Sequence, residues 1–331
     1  MKIFRNQSYR RVIFLVLSIT TVLYSCRTHE KQIVNDVDEL FGLVNVSVCN
    51  IRSSPAHSAE LITQALMGTP VKIMKTQAGW YFILTPESYE GWVDKGAIGK
   101  MNTREFEEWK GSDRIICLAK YGEIYADTGS MRIISDFVAG SIIKVSIIGN
   151  GYYHVVLPDG RKGYLDKNNA TVFKQWMLTI SPEEENLKTL AESFTGIPYL
   201  WGGTSVKSFD CSGFVKTVYY LNGVILKRDA SQQFKHGIKL EKNAYPDSLR
   251  TGDLLFFGFI KDGAPHPTHV GMYIGNTEFI HASGMVKVNS LDSTMINFSR
   301  GRKDTFLGVR RIIGADPDDG IQYISGHSWY N

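Results

Sequence analysis

The chain has 331 residues, 43% of them apolar and 21% charged, with 17 Phe, 16 Tyr and 6 Trp. That excludes a disordered chain and a single small binding module, and 31 Gly with 10 Pro argue against an all-helical fold. The formal charge of +4 traces to Lys2, Arg5, Arg10 and Arg11; beyond them 33 acidic residues are balanced by as many basic ones. The composition therefore gives no support for nucleic-acid binding.

Val12–Tyr24, apolar apart from Ser and Thr, follows those four cations. It is too short to cross a bilayer comfortably and has the length of a signal-peptide core, so residues 1–25 are expected to be a signal peptide. Leu23-Tyr24-Ser25-Cys26 resembles a bacterial lipobox, although Tyr24 is larger than the residue usual there. The resemblance implies lipidation of Cys26 and an exported lipoprotein of a bacterial envelope, periplasmic or attached to the outer membrane. Two or more acyl chains would hold it firmly where one is marginal. Residues 26–40 then form a tether, with a short helix expected from about Val34 to Phe41.

Beyond the tether the chain breaks into short alternating apolar runs separated by Gly and Pro, the pattern of small β-barrels. Gly79-Trp80-Tyr81, Pro86, Gly91-Trp92-Val93 and Asp94-Lys95 return 72 residues later as Gly151-Tyr152-Tyr153, Pro158, Gly163-Tyr164-Leu165 and Asp166-Lys167. Two tandem copies follow, at 41–98 and 112–172, joined by a polar linker at 99–111. They resemble bacterial SH3 domains. Trp80, Trp92, Tyr152 and Tyr164 are expected in their cores.

A third domain is expected over 180–315, with residues 316–331 as a tail. Ser181-Pro182-Glu183-Glu184-Glu185 has the features of a helix start with Ser181 as N-cap. Cys49 and Cys117 lie in apolar strand-like runs and are expected to be buried thiols. Cys211 differs. Phe214, Val218 and Leu221 recur at helical spacing, so a helix begins near Cys211 and runs to Asn222-Gly223. A cysteine in a first turn meets unpaired N–H groups and the positive dipole end, which lower its pKa. Its own N–H is placed to join an oxyanion hole.

A thiol nucleophile needs an imidazole. Thr268–Gly275 alternates cleanly, with His269, Gly271 and Tyr273 on one strand face. A turn at Gly275-Asn276-Thr277 returns Glu278–Ala282 antiparallel, which sets His281 opposite Gly271 and diagonal to His269. His269 is then the base and His281 its orienting partner. His266, between two prolines, is a competing base, and a zinc site on Cys211, His269 and His281 is the competing chemistry.

FDCSGFV around Cys211, THVGMYIG around His269 and FIHASG around His281 resemble, in order, three motifs of the NlpC/P60 family of papain-like cysteine peptidases. The resemblance implies an α+β fold in which a papain-like catalytic domain follows two small SH3-like β-barrels. It also implies catalysis by Cys211, His269 and His281 without metal or organic cofactor. With the paired barrels, it narrows to γ-D-glutamyl-L-diamino acid endopeptidases, the dipeptidyl-peptidase VI group. These cut peptidoglycan stem peptides that carry a free N-terminal L-Ala.

By the same resemblance Asp210, Ser212 and Ser231 line the dipeptide pocket, and Glu60 and Tyr89 of the first barrel close it. Asp210 and Glu60 together would compensate the buried ammonium. The protein is expected to act as a monomer on peptidoglycan-derived peptides, with no nucleic-acid partner and a membrane contact only through the N-terminal lipid. Preference between diaminopimelate and Lys stays open. The alternatives are an amidase or acyltransferase of the same fold, and a wall-binding lipoprotein without activity.

Overall fold

The computed structural model describes residues 39–130, 132–241 and 247–331. The leader, Cys26 and most of the expected Val34–Phe41 helix fall outside the described residues. Where that helix was expected to end, Phe41 instead opens a strand.

The first module has seven strands: β1 (Phe41–Val44), β2 (Val48–Arg52), β3 (Leu61–Leu66), β4 (Pro70–Gln77), β5 (Trp80–Leu84), β6 (Glu90–Asp94) and β7 (Ile98–Met101). The expected linker is structured: β7 runs to Met101, and α1 (Thr103–Lys110) follows, its first turn closed by a reciprocal Asn102–Glu105 capping box. The second module repeats the set as β8 (Arg114–Cys117), β9 (Tyr121–Tyr125), β10 (Ile133–Val138), β11 (Ile142–Ile148), β12 (Tyr152–Val156), β13 (Lys162–Asp166) and β14 (Ala170–Val172).

The two sheets have the same connectivity. Their strand orders are β3-β2-β6-β5-β4-β1-β7 and β10-β9-β13-β12-β11-β8-β14, each strand matched by the one seven places on. The repeated Asp has a structural cause: Asp94 and Asp166 each cap a one-turn helix by accepting a backbone N–H two residues ahead. Of the four aromatics expected inside, Trp80 is buried, whereas Trp92, Tyr152 and Tyr164 are only half-buried. Trp92 and Tyr164 lie on outward-facing strand positions, against Phe82 and His154 respectively. Cys49 and Cys117 are buried free thiols, and burial pushes the Cys49 pKa up to about 12.

The third module opens with α2 (Phe173–Thr179) and α3 (Glu184–Ser193). The latter starts two residues later than expected, with Glu183 at the N-cap position, because the Ser181 hydroxyl bonds the Glu183 carboxylate and caps no backbone. Then follow β15 (Thr204–Ser205), β16 (Ser208–Phe209), α4 (Cys211–Tyr220), β17 (Val224–Leu226), α5 (Ala230–Gln233), β18 (Ile238–Leu240), β19 (Leu254–Lys261), β20 (Ala264–Gly275), β21 (Glu278–Ser283), β22 (Met285–Ser290), α6 (Arg300–Asp304), β23 (Phe306–Arg311) and β24 (Ile321–Tyr323). An antiparallel sheet of order β18-β23-β19-β20-β21-β22 carries α4 on one face. Phe214, Val215 and Val218 of α4 have no exposed area. Each contributes about 1.5–3 kcal/mol of burial that holds the helix start in place.

The expected tail at 316–331 belongs to the fold. β24 pairs with β17, and Tyr330 is buried, its carbonyl accepting from Arg114 of β8. One continuous apolar cluster runs from Phe41 through Ile116 and Phe214 to Tyr330, so the modules share a core. Polar contacts add to it: Thr204 bonds the Gln64 backbone and side chain, Lys216 pairs with buried Glu87, and Tyr220 donates to Gly140.

Candidate active site

Cys211 occupies the first position of α4, as its sequence predicts. Asp210 is the N-cap, accepting from the Gly213 N–H at 2.7 Å. Gly213 is required by close approach: a Cβ there would lie 2.0 Å from the Gly203 carbonyl oxygen. The Cys211 N–H has no hydrogen-bond partner among the described residues, which leaves it available to an oxyanion.

Asp210 does not stand free for an ammonium, contrary to expectation. Its oxygens also accept from Gly202 N–H, the Ser212 hydroxyl and both terminal nitrogens of Arg228. Five donors saturate a group with about four lone-pair directions. Arg228 is 2% exposed and donates as well to Thr63 of β3, so this ion pair ties the nucleophile helix to the first module.

The thiol also departs from expectation. Burial, followed by the Asp210 charge, pushes the Cys211 pKa up to about 11; backbone N–H groups of Val270 and Ser212 act in the opposite direction but do not win. Cys211 is a neutral thiol whose sulfur lies against the backbone N–H of Val270, the strand residue that follows His269.

The histidine pair forms as the strand pattern implies. His269 Nε2 lies 2.7 Å from His281 Nδ1, with the rings perpendicular. The turn is tighter than expected, because Gly275 pairs with Glu278 and only Asn276 and Thr277, both at positive φ, form the loop. Gly271 gives room for the pair, since a Cβ there would meet His281 Cβ at 3.1 Å.

The tautomers follow from the next bond outward. His281 Nε2 lies 2.9 Å from Asn289 Oδ1, and Asn289 Nδ2 donates to the Asn297 carbonyl, which fixes the amide orientation. His281 therefore donates from Nε2 and accepts at Nδ1. His269 donates from Nε2 and keeps Nδ1 as a bare base. Burial, the neighbouring ring and the charges of Arg302 and Lys287 hold His269 well below its ordinary pKa, and burial first holds His281 down to about 4. Both rings are neutral at neutral pH. His266 is not part of this cluster: it is exposed on β20, stacked on Phe259. The bonds of His281, to His269 at Nδ1 and to Asn289 at Nε2, occupy both of its ring nitrogens, so it has none to offer a zinc ion shared with Cys211 and His269.

A cavity of about 390 Å³ opens beside Cys211. Glu60 and Tyr89 from the first module line it together with Asp210, Ser212 and Ser231, so the structure brings together all five residues expected there. Glu60 stands at the entry to strand β3 and accepts from the Trp201 indole N–H at 2.8 Å. Tyr89 donates to Asp229 at 3.3 Å. Burial, then the charge of Asp229, pushes the Tyr89 pKa up to about 12, so its phenol keeps its proton. Sequence reasoning missed Arg228, Asp229, Trp201 and Asn289. The one available signal was the adjacency of Arg228 and Asp229, since an acid at a buried helix start demands a cation.

A cysteine at a helix start, beside a buried histidine pair on an antiparallel sheet, has the build of a thiol hydrolase. Residues 196–300 match the NlpC/P60 family and residues 46–99 the bacterial SH3 domain. Dipeptidyl-peptidase 6 of Lysinibacillus sphaericus is 30% identical over 269 residues, spanning 76% of this chain and 92% of that protein. A γ-D-glutamyl-L-lysine dipeptidyl-peptidase of Bacillus cereus (strain ATCC 10987 / NRS 248) is 28% identical over 263 residues, covering 77% and 76%. A crystal structure of an NlpC/P60 family protein from Bacillus cereus ATCC 10987 superposes with a TM-score of 0.71 at 23% identity, over 82% of this chain and 99% of that one, a likeness of fold. The chain belongs to the NlpC/P60 family.

Proposed function

We propose that the protein is a cysteine peptidase that hydrolyses the bond between γ-D-Glu and the diamino acid in peptidoglycan stem peptides with a free N-terminal L-Ala. The observation that carries this reading is the pocket beside Cys211, lined by Glu60, Tyr89 and Asp229. Asp210 and Arg228 neutralise each other, so the charge left facing the cavity is that of Glu60 and Asp229. Two carboxylates on the cavity wall favour an ammonium over the uncharged nitrogen of an amide-linked glycan. The Ser231 hydroxyl on the cavity wall suits the α-carboxylate of D-Glu. The names of the relatives, dipeptidyl-peptidase 6 and γ-D-glutamyl-L-lysine dipeptidyl-peptidase, agree with this choice.

In the proposed reaction His269 Nδ1 takes the thiol proton as the sulfur attacks the γ-carbonyl carbon. The Cys211 N–H receives the oxyanion. The C–N bond then breaks, and the imidazolium delivers its proton to the leaving amine. Water attacks the thioester, gives a proton to His269, and the sulfur leaves with that proton.

Mass spectrometry of digests tests the reading. L-Ala-γ-D-Glu-diamino acid peptides should release the dipeptide L-Ala-D-Glu, while the same peptides with muramic acid on the L-Ala nitrogen should remain uncut. Equal turnover of both would overturn the demand for a free amine. The leader ending at Cys26 supports delivery as a lipid-anchored envelope protein. Radioactive palmitate should label the wild type and not Cys26→Ala.

A further inference from the structure

Arg302, on α6, has no place in the dipeptide pocket. It is half-buried, with its guanidinium 5.7 Å from the centre of the Phe257 ring and Nη2 donating to Ser283 Oγ at 3.4 Å. Both contacts lead to the histidine pair: Phe257 is the cross-strand partner of His269, and Ser283 lies two residues from His281 on the same face of β21. No carboxylate pairs with Arg302 among the described residues. Within α6, Asp304 pairs with Arg300, while nearby Glu278 accepts from Asn297. Lys287, directly across from His281, adds a second positive charge. A half-buried guanidinium without an anion is costly unless something supplies one.

The reaction indicates what that is. His269 must deliver its proton to the leaving amine, so the diamino acid has to lie against the histidine side. The cavity that would hold the dipeptide reaches Cys211 but not Arg302. Charge around Cys211 is thus divided, with acids Glu60 and Asp229 lining the cavity and Arg302 with Lys287 beside the histidine pair.

We propose that Arg302 is a carboxylate-binding residue for the leaving half of the substrate. This rests on the peptidase reading above. Two carboxylates could fill the subsite: the distal one of diaminopimelate, which Lys lacks, or the α-carboxylate of the diamino acid when it ends the peptide. Arg suits either, since its planar fork bonds both oxygens.

Four peptides of the form L-Ala-γ-D-Glu-X distinguish the sources, with X either diaminopimelate or Lys and its α-carboxylate free or amidated. Wild-type kcat/KM should favour peptides that keep the recognised carboxylate by about 10- to 100-fold. A drop on exchanging diaminopimelate for Lys assigns the distal group, and a drop on amidation assigns the α-carboxylate. Arg302→Gln should bring the preference close to one, and Arg302→Lys should keep part of it. Equal wild-type turnover of all four peptides would overturn the proposal without any variant. So would an Arg302→Gln enzyme that loses the same factor on every peptide, because the charge would then act on the sulfur and the imidazoles alone. Failure of the wild type to cut any of them would instead remove the underlying peptidase reading, and this subsite with it.

Discussion

Asn289 touches His281 and not His269, yet its side-chain oxygen decides which nitrogen of His269 carries the proton. Without it, His281 can carry its proton on Nδ1, and the two rings then compete for the bond between them. Asn289→Ala should lower kcat by about 10- to 100-fold with KM little changed, as expected when an outer partner of a functional histidine is lost. The pH profile is a second test at this scale. Because His269 is held well below 6.5, the acid limb of kcat/KM should lie below that value. The alkaline limb should appear near pH 8, where the substrate amine loses its proton, rather than at the thiol pKa of about 11. A limb that stays at high pH would show that the ammonium is not required. Cys211, His269 and His281 were legible in the sequence because each sits in a local periodic pattern. Arg228 and Asn289 were not, since their partners lie 18 and 8 residues away across the fold.

At the scale of elements, the start of α4 and the β20–β21 hairpin determine whether the site exists. Asp210→Asn leaves Arg228 buried without its counter-charge and should cost about 3–5 kcal/mol in urea unfolding. Gly271→Ala acts on the hairpin. The added Cβ would stand 2.8 Å from the Phe279 ring and 3.1 Å from His281 Cβ, so the strands must part. Overpacking of this kind should cost about 1–3 kcal/mol and reduce kcat more than it reduces the fraction folded. A variant with full activity would show that the hairpin tolerates the shift. The duplicated sheet was legible because aromatic and Asp positions recur at a fixed offset. The start of α3 was misread because the Ser181 hydroxyl has a competing carboxylate two residues away. β24 was misread because its pairing with β17 lies almost a hundred residues back, and no local pattern announces such contacts.

For the whole molecule, the shared core means that the first module is more than an attachment. Deleting residues 39–101 would remove Leu66 from the shared core and Thr63 from its bond with Arg228, exposing that side chain and the apolar surface behind it. The remainder should be insoluble or melt without a cooperative transition, which calorimetry would show. Stability should also fall in acid. The unfolded chain takes protons near pH 6.5, whereas folded His281 resists to about 4, so stability is lost as pH drops through that window. His281 alone contributes about 3 kcal/mol to the loss, and His281→Asn should have a shallower decline in urea midpoints from pH 7 to 4.5.

The protonated state of Cys211 has a consequence for survival under oxidising conditions. Peroxide and alkylating agents consume thiolates, and a sulfur that keeps its hydrogen until a peptide arrives offers them almost none. Iodoacetamide at pH 7 should therefore inactivate the idle enzyme more slowly than it modifies a small free thiol. A catalyst stored in this form can wait in an oxidising setting without a reductant to restore it.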